Sequence, residues 1–177
     1  MKGYNIANHT NDTTFVHMAK VPGRVERFVN AMTLFSQGPG LSPEHLLSGF
    51  PWGTIGQATL VDIGGSHGQI TIGIVRRFPN VKCIIQDLPG TIAAAPQLPE
   101  FEDRVSFMAH DFFEEQPVKG AEVYLLRWVL HDWSDKYAIK ILQALVPALR
   151  KSSRVIIMEA ILPDPQEVPS PDQREAR

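Results

Sequence analysis

Asp62, Asp87, Asp111, His131 and Glu159 are the side chains whose types and spacing could do chemistry. Three glycines, Gly64, Gly65 and Gly68, follow the first of them in the pattern Asp-x-Gly-Gly-x-x-Gly. Glycine permits a tight turn and lets a ligand approach the backbone without a Cβ in the way. The spacing differs from G-x-G-x-x-G, and Asp62 would repel a diphosphate while welcoming a cationic amino-acid portion. Asp87 follows a second apolar run, where a carboxylate can accept two hydrogen bonds from a ribose diol. That role is shared by dinucleotide and S-adenosylmethionine sites, so it points to a nucleoside without choosing one. His131 alone reads more readily as a capping or packing histidine than as a base. As a neutral imidazole with a pKa of about 6.5 it can take the proton of a phenol, whose own pKa is about 10.

The elements that must position these groups alternate from Leu60 onward. Short apolar runs at 59–63, 81–86, 105–109, 122–127 and 154–158 predict five strands. Helices are expected at 69–78 and 91–95, with a longer one capped by Ser134 and kinked by Pro147. Near-continuous apolar strands between helices predict an α/β fold, a Rossmann-like parallel sheet with helices on both faces. Ligands of such sheets sit at the carboxyl ends of the strands. All five candidate groups fall at or just beyond those ends, which scattered polar residues would not do by chance. Upstream, 15–58 reads as a helical segment: apolar residues recur at helical spacing from Phe15 to Phe35, and Pro22-Gly23 divides them. Ser42-Pro43-Glu44 opens a short helix and Pro51-Trp52-Gly53 ends it. Residues 1–14 read as a disordered lead and 164–177, proline-rich and charged, as a flexible tail.

The totals bound the rest. The chain has 177 residues, room for one core. Its formal net charge of −2 supplies no electrostatic reason for a nucleic-acid or anionic-membrane partner. One cysteine, Cys83, excludes an intrachain disulfide and a cysteine metal cluster, and no metal-ligand spacing stands out. No apolar run reaches the roughly 18 residues of a membrane span. A cytoplasmic location is the expectation.

Several stretches carry a resemblance. They are Val-Asp-Ile-Gly-Gly-Ser-His-Gly (61–68), Gln-Asp-Leu-Pro (86–89) and His-Asp-Phe-Phe (110–113). To these add Leu-Arg-Trp-Val-Leu-His-Asp-Trp-Ser-Asp (126–135) and Val-Ile-Ile-Met-Glu-Ala-Ile-Leu-Pro (155–163). In this order they resemble the plant and fungal small-molecule O-methyltransferases, the caffeate-type, S-adenosylmethionine-dependent family. The stretch 36–47 is similar to fungal members. The resemblance implies that 59–163 is a cofactor-binding methyltransferase core. It implies that Asp62, Gly64 and Gly65 meet the methionine portion of the cofactor, Asp87 and Leu88 the ribose, and Asp111 with Phe112 the adenine, with Trp133 packed on it. Arg127 stands where the family usually has lysine, near the cofactor carboxylate; it keeps the charge on a larger planar fork. Ser36 is also implied as a cofactor contact. His131 matches the general base, and Glu159 the carboxylate that orients it. Phe28, Met32, Trp128 and Asp132 are candidates for the acceptor side. Core packing is the competing reading for Phe28 and Met32, as it is for Phe35 and Trp52. The implied activity is methylation of a hydroxyl on a small aromatic or polyketide-like metabolite.

The pattern departs from the family at both ends. Members usually carry an N-terminal winged-helix dimerisation domain, and two more strands follow the fifth. Without them the fifth strand is an apolar sheet edge, which a second copy or a complementing chain would cover. Three readings stay open: a fragment of an O-methyltransferase, a chain completed by a partner, and a protein that has exchanged methyl transfer for another task. That task would be a cyclase or pericyclase step in a natural-product pathway, or a non-catalytic partner role.

Overall fold

The computed structural model describes residues 3–35 and 42–159. Ser36 and the expected tail over 164–177 lie outside them. Five strands form one parallel sheet: β1 (Ala58–Ile63), β2 (Val81–Asp87), β3 (Val105–Ala109), β4 (Val123–Arg127) and β5 (Arg154–Met158). The order across the sheet is β3-β2-β1-β4-β5, so the direction of winding reverses between β1 and β4. An open α/β sheet parts its connecting loops at that switch point and leaves a crevice above the strand ends. The register brings those ends level. Ile63 lies beside Gln86 and Leu126, Asp87 beside Ala109, and Arg127 beside Met158.

The central strands bury both faces, with the period of two that a strand imposes. Leu60, Val123 and Leu125 join one apolar cluster with Ile74, Val75 and Ile85. Val61, Ile63, Tyr124 and Leu126 turn to the other, with Ile141 and Leu145. The first cluster is covered by α5 (Gln69–Arg77), the second by α7 (Asp135–Leu145). The α7 helix stops at Leu145 and continues as a 3-10 turn over Val146–Ala148, because Pro147 has no N–H for the next helical bond. Ser134 occupies the cap position with extended backbone, yet its hydroxyl makes no capping bond.

Ahead of the sheet lie α1 (Gly3–Ala7), α2 (Thr14–Ala19), α3 (Arg24–Phe35) and α4 (Glu44–Gly49). The division expected at Pro22-Gly23 is present, with Gly23 at φ +72°. The expectation of a disordered lead over 1–14 is corrected in part. Helix α1 forms there, Tyr4 Oη pairs with His17 Nδ1 at 2.9 Å, and Asn5 Nδ2 donates to the carbonyls of Thr10 and Asp12. The helix expected at 91–95 is α6, Pro89–Ala93. It starts two residues earlier because Pro89 takes the first helical turn, where its missing N–H costs nothing. Strand β5 lies at an edge of the sheet with Val155 and Ile157 exposed. Among the described residues no helix is long and apolar enough to cross a membrane.

Candidate active site

A cavity of about 500 Å³ opens above the switch point. Its floor is the carboxyl edge of the sheet, and its other wall is the inner face of α2 and α3.

The floor begins at the glycine turn after β1. Gly64 and Gly68 hold left-handed backbone, with φ of +73° and +72°, and Ser66 between them has φ +53°. Glycine is required at Gly65 and Gly68 by the protein itself. A Cβ on Gly65 would stand 2.4 Å from the Asp62 carboxyl, and one on Gly68 2.1 Å from Ile85 Cδ1. The turn therefore packs over a buried acid as tightly as backbone allows. Asp62 shares the β1 face of Leu60 and is buried; Thr71, in the first turn of α5, donates to its Oδ2 at 2.8 Å. Burial pushes its pKa up to about 6, against the opposing bond from Thr71, and nearby Asp87 adds to the rise.

Asp87 ends β2. Its Oδ1 accepts from the Leu88 N–H at 2.8 Å and its Oδ2 from the Ser66 N–H at 3.0 Å. Burial raises its pKa, and those two backbone bonds oppose the rise. The carboxylate is thus clamped between the glycine turn and the start of α6. Beyond β3, Asp111 Oδ1 accepts from the Phe113 N–H at 3.0 Å. Phe112 and Phe113 meet the Trp133 ring edge-on, at 5.9 and 4.7 Å between centroids.

At the end of β4 the Arg127 guanidinium lies 3.8 Å from the Trp128 ring centroid. Burial lowers its pKa, opposed by the charges of Asp62 and Glu159. Trp128 has φ +55°, which turns the chain out of the strand while its N–H still donates to Met158 O at 3.1 Å. A left-handed non-glycine residue is a strained geometry that folds keep mostly at sites of use. The chain then enters the 3-10 turn Leu130–Asp132. Glu159, just past β5, organises that turn. Its Oε1 accepts from the N–H groups of Val129 at 3.0 Å and Leu130 at 2.8 Å, and its Oε2 lies 2.5 Å from His131 Nδ1. His131 Nε2 stands 3.7 Å from Asp132 Oδ1.

The helical wall is apolar. Phe15, Met18, Val25, Phe28 and Met32 line it, and Phe15 and Phe28 meet edge-on at 5.7 Å.

The structure thus brings together Phe28, Met32, Asp62, Gly64, Gly65, Asp87, Leu88, Asp111, Phe112, Arg127, Trp128, His131, Asp132 and Trp133 around one space. Glu159 stands behind His131. Trp52 does not join them. It is fully buried against Phe50 and Phe78, with its Nε1 donating to Leu46 O at 2.9 Å, and belongs to the core under α4. Sequence reasoning passed over Ser66, Gln69, Ile70, Thr91 and Phe113, which also line the cavity. Ser66 and Phe113 sit inside stretches already singled out. The others carry no signal beyond helix N-termini near the glycine turn and Asp87.

A family model described as an O-methyltransferase domain matches residues 12–174. The grayanic acid biosynthesis cluster O-methyltransferase of Cladonia grayi is 44% identical over 180 residues, which cover 99% of this chain and 40% of that protein. The chain therefore spans about two fifths of the length of that curated relative. Among solved structures, the mitomycin 7-O-methyltransferase MmcR superposes with a TM-score of 0.80 at 27% identity, covering 98% of this chain and 49% of that one. A structure described as a pericyclic reaction enzyme superposes with a TM-score of 0.61 at 31% identity, covering 87% and 40%.

Proposed function

The chain belongs to the O-methyltransferase domain family, and from that premise we propose that it binds S-adenosylmethionine along the carboxyl edge of its sheet and methylates a hydroxyl of a small aromatic or polyketide-like metabolite. One observation carries the reading: acidic strand ends and His131, backed by Glu159, face a single cavity.

The residues fit the cofactor by their chemistry. A sulfonium and an ammonium are cations, and Asp62, Asp87, Asp111 and Asp132 line the space, with Arg127 available to a carboxylate. Each oxygen of Asp87 accepts one backbone N–H and keeps acceptor capacity for a ribose diol. Asp111, Phe112 and Trp133 offer an acceptor and aromatic surface to adenine. Gly64 and Gly65 expose backbone to the methionine portion. Bound there, S-adenosylmethionine supplies an electrophilic methyl group. The protein's part is then positioning and one proton transfer. Glu159 Oε2 holds the Nδ1–H of His131, which leaves Nε2 to receive the hydroxyl proton of the acceptor. Phe28, Met32 and Trp128 pack the acceptor ring and keep water from it. Asp132, beside Nε2, accepts from a second donor on the acceptor.

The test is label transfer from methyl-labelled cofactor to a panel of phenols. Transfer by wild type should fall by about two to four orders of magnitude in His131→Ala, the range of general-base removal. Transfer that persists in the variant removes the base assignment. A second reading draws on the likeness to a pericyclic reaction enzyme: the same cavity would fold an acceptor toward cyclisation. Substrate conversion that consumes no S-adenosylmethionine would select it.

A further inference from the structure

Two buried side chains have no place in the chemistry above. Gln86 and Gln116 are 1% and 2% exposed, and their amides face one another between β2 and the loop that joins β3 to β4. The pairing is reciprocal: Gln86 Nε2 donates to Gln116 Oε1 at 2.9 Å, and Gln116 Nε2 to Gln86 Oε1 at 2.8 Å. Neither residue lines the main cavity.

Their backbone connections are more telling than their burial. Gln86 immediately precedes Asp87, and its carbonyl accepts from the Gly65 N–H at 3.0 Å. Its Nε2 also reaches Met108 Sδ on β3 at 3.3 Å. Gln116 donates its own N–H to Ala144 O in α7 at 3.0 Å, and its Oε1 takes the Val118 N–H at 3.0 Å. The loop it anchors carries Asp111, Phe112 and Phe113. The amide pair is therefore a side-chain link between the acid clamped at the end of β2 and the groups beyond β3, added to the backbone bond from the His110 N–H to Asp87 O at 2.9 Å.

Two apolar side chains would fill the same space at many relative heights. Two buried amides are satisfied over a narrow range, because a slide of about 2 Å stretches both bonds to about 3.5 Å and tilts them by roughly 35°, beyond good geometry. An unsatisfied buried amide is costly, so the pairing resists such a slide.

We propose that the Gln86–Gln116 pair is a positioning device that sets the base-side loop against Asp87, and so governs how the nucleoside base is recognised. This rests on the cofactor reading above. The two claims separate in one set of titrations with S-adenosylhomocysteine and S-inosylhomocysteine, in which an oxygen replaces the exocyclic amine. Wild-type binding of the first ligand tests the cofactor reading by itself; its absence overturns that reading and the inference with it. Wild type should prefer the adenine ligand. In Gln86→Leu and Gln116→Leu that preference should fall on the order of tenfold. The double variant separates positioning from packing. It removes both buried amides, so thermal stability should recover relative to the singles while the base preference stays lost. A double variant that regains the wild-type preference shows packing alone and overturns the proposal. So do single variants that keep the preference, or a wild type that binds both ligands equally. Should a single variant fail to fold, the double variant carries the same decision.

Discussion

Asp87 and Phe28 face the same cavity from opposite walls and are held there by different forces. Asp87 is clamped by two backbone N–H groups at the end of a strand buried on both faces. Phe28 sits on α3, 36% exposed, and is kept by an edge-on contact with Phe15 from α2. On the sheet side each group that could do chemistry has a directional partner: Asp62 with Thr71, Asp111 with the Phe113 N–H, His131 with Glu159. On the helical side the contacts are apolar and non-directional. A directional wall suits a ligand whose every polar atom is the same at each turnover. An apolar wall changes shape by side-chain exchange without disturbing the sheet. Under the proposed function, the difference assigns cofactor identity to strand-end hydrogen bonds and acceptor identity to the volumes on α2 and α3.

The sharpest way to break this comparison is at Glu159. Glu159→Gln keeps an oxygen for the Val129 and Leu130 N–H groups but presents an NH2 group to Nδ1, which favours the wrong imidazole tautomer. Methyl transfer should fall on the order of 10⁴-fold, as with the carboxylate-to-amide swap in a catalytic triad. The dissociation constant for S-adenosylhomocysteine should stay within about threefold, by calorimetry. A parallel loss of both would mean that Glu159 serves the loop and not the base.

Next in size is Asp62. Its folded pKa, about 6, lies above the ordinary aspartate value of about 3.9. Ionising it therefore costs the folded state more than the unfolded chain. That cost is absent below about pH 4, grows as pH rises towards 6 and is fully present above it. The difference from the ordinary value corresponds to about 3 kcal/mol. Asp62→Asn should gain stability over wild type by up to that amount at pH 8, in urea unfolding, and the gain should vanish below pH 4. A gain that does not vary with pH contradicts the assignment. The variant should also discriminate less between the sulfonium cofactor and its uncharged product, because the buried charge is gone.

The smallest effects belong to the helical wall. Phe28→Ala and Met32→Ala should each cost less than about 1 kcal/mol of stability, since neither side chain is fully buried. Acceptor KM should move several-fold with cofactor affinity unchanged. A comparable change in cofactor affinity would join the two walls into one unit.

The central strands β1 and β4 were legible because both their faces are buried, which leaves near-continuous apolar runs. The edge strands β3 and β5 are only partly buried, yet they have the very bounds that their apolar runs predict. Helix starts were less so. Pro89 moved α6 because proline fits the first turn better than Thr91. The glycine turn was recognised, but for an incomplete reason. Ligand approach was expected to demand glycine, and the Asp62 carboxyl beneath Gly65 already does. For Trp52 core packing was the stronger of two readings, and the fold bears it out by bringing Phe78 against it from the end of α5. The pairing of Gln86 with Gln116 had no signal: Gln86 lies in the Gln-Asp-Leu-Pro stretch, but the two amides, thirty positions apart, meet only through tertiary structure.

The central claim is that the sheet edge is a site for an adenosyl amino acid, with Asp87 on the ribose. Calorimetric titration of wild type and Asp87→Ala with S-adenosylhomocysteine tests it most directly. Wild type should bind with a sub-millimolar dissociation constant, a binding free energy of about −4.1 kcal/mol or stronger. Asp87→Ala should bind at least about tenfold more weakly, from two lost charge-assisted bonds. No heat with wild type, or a variant indistinguishable from it, would contradict the account.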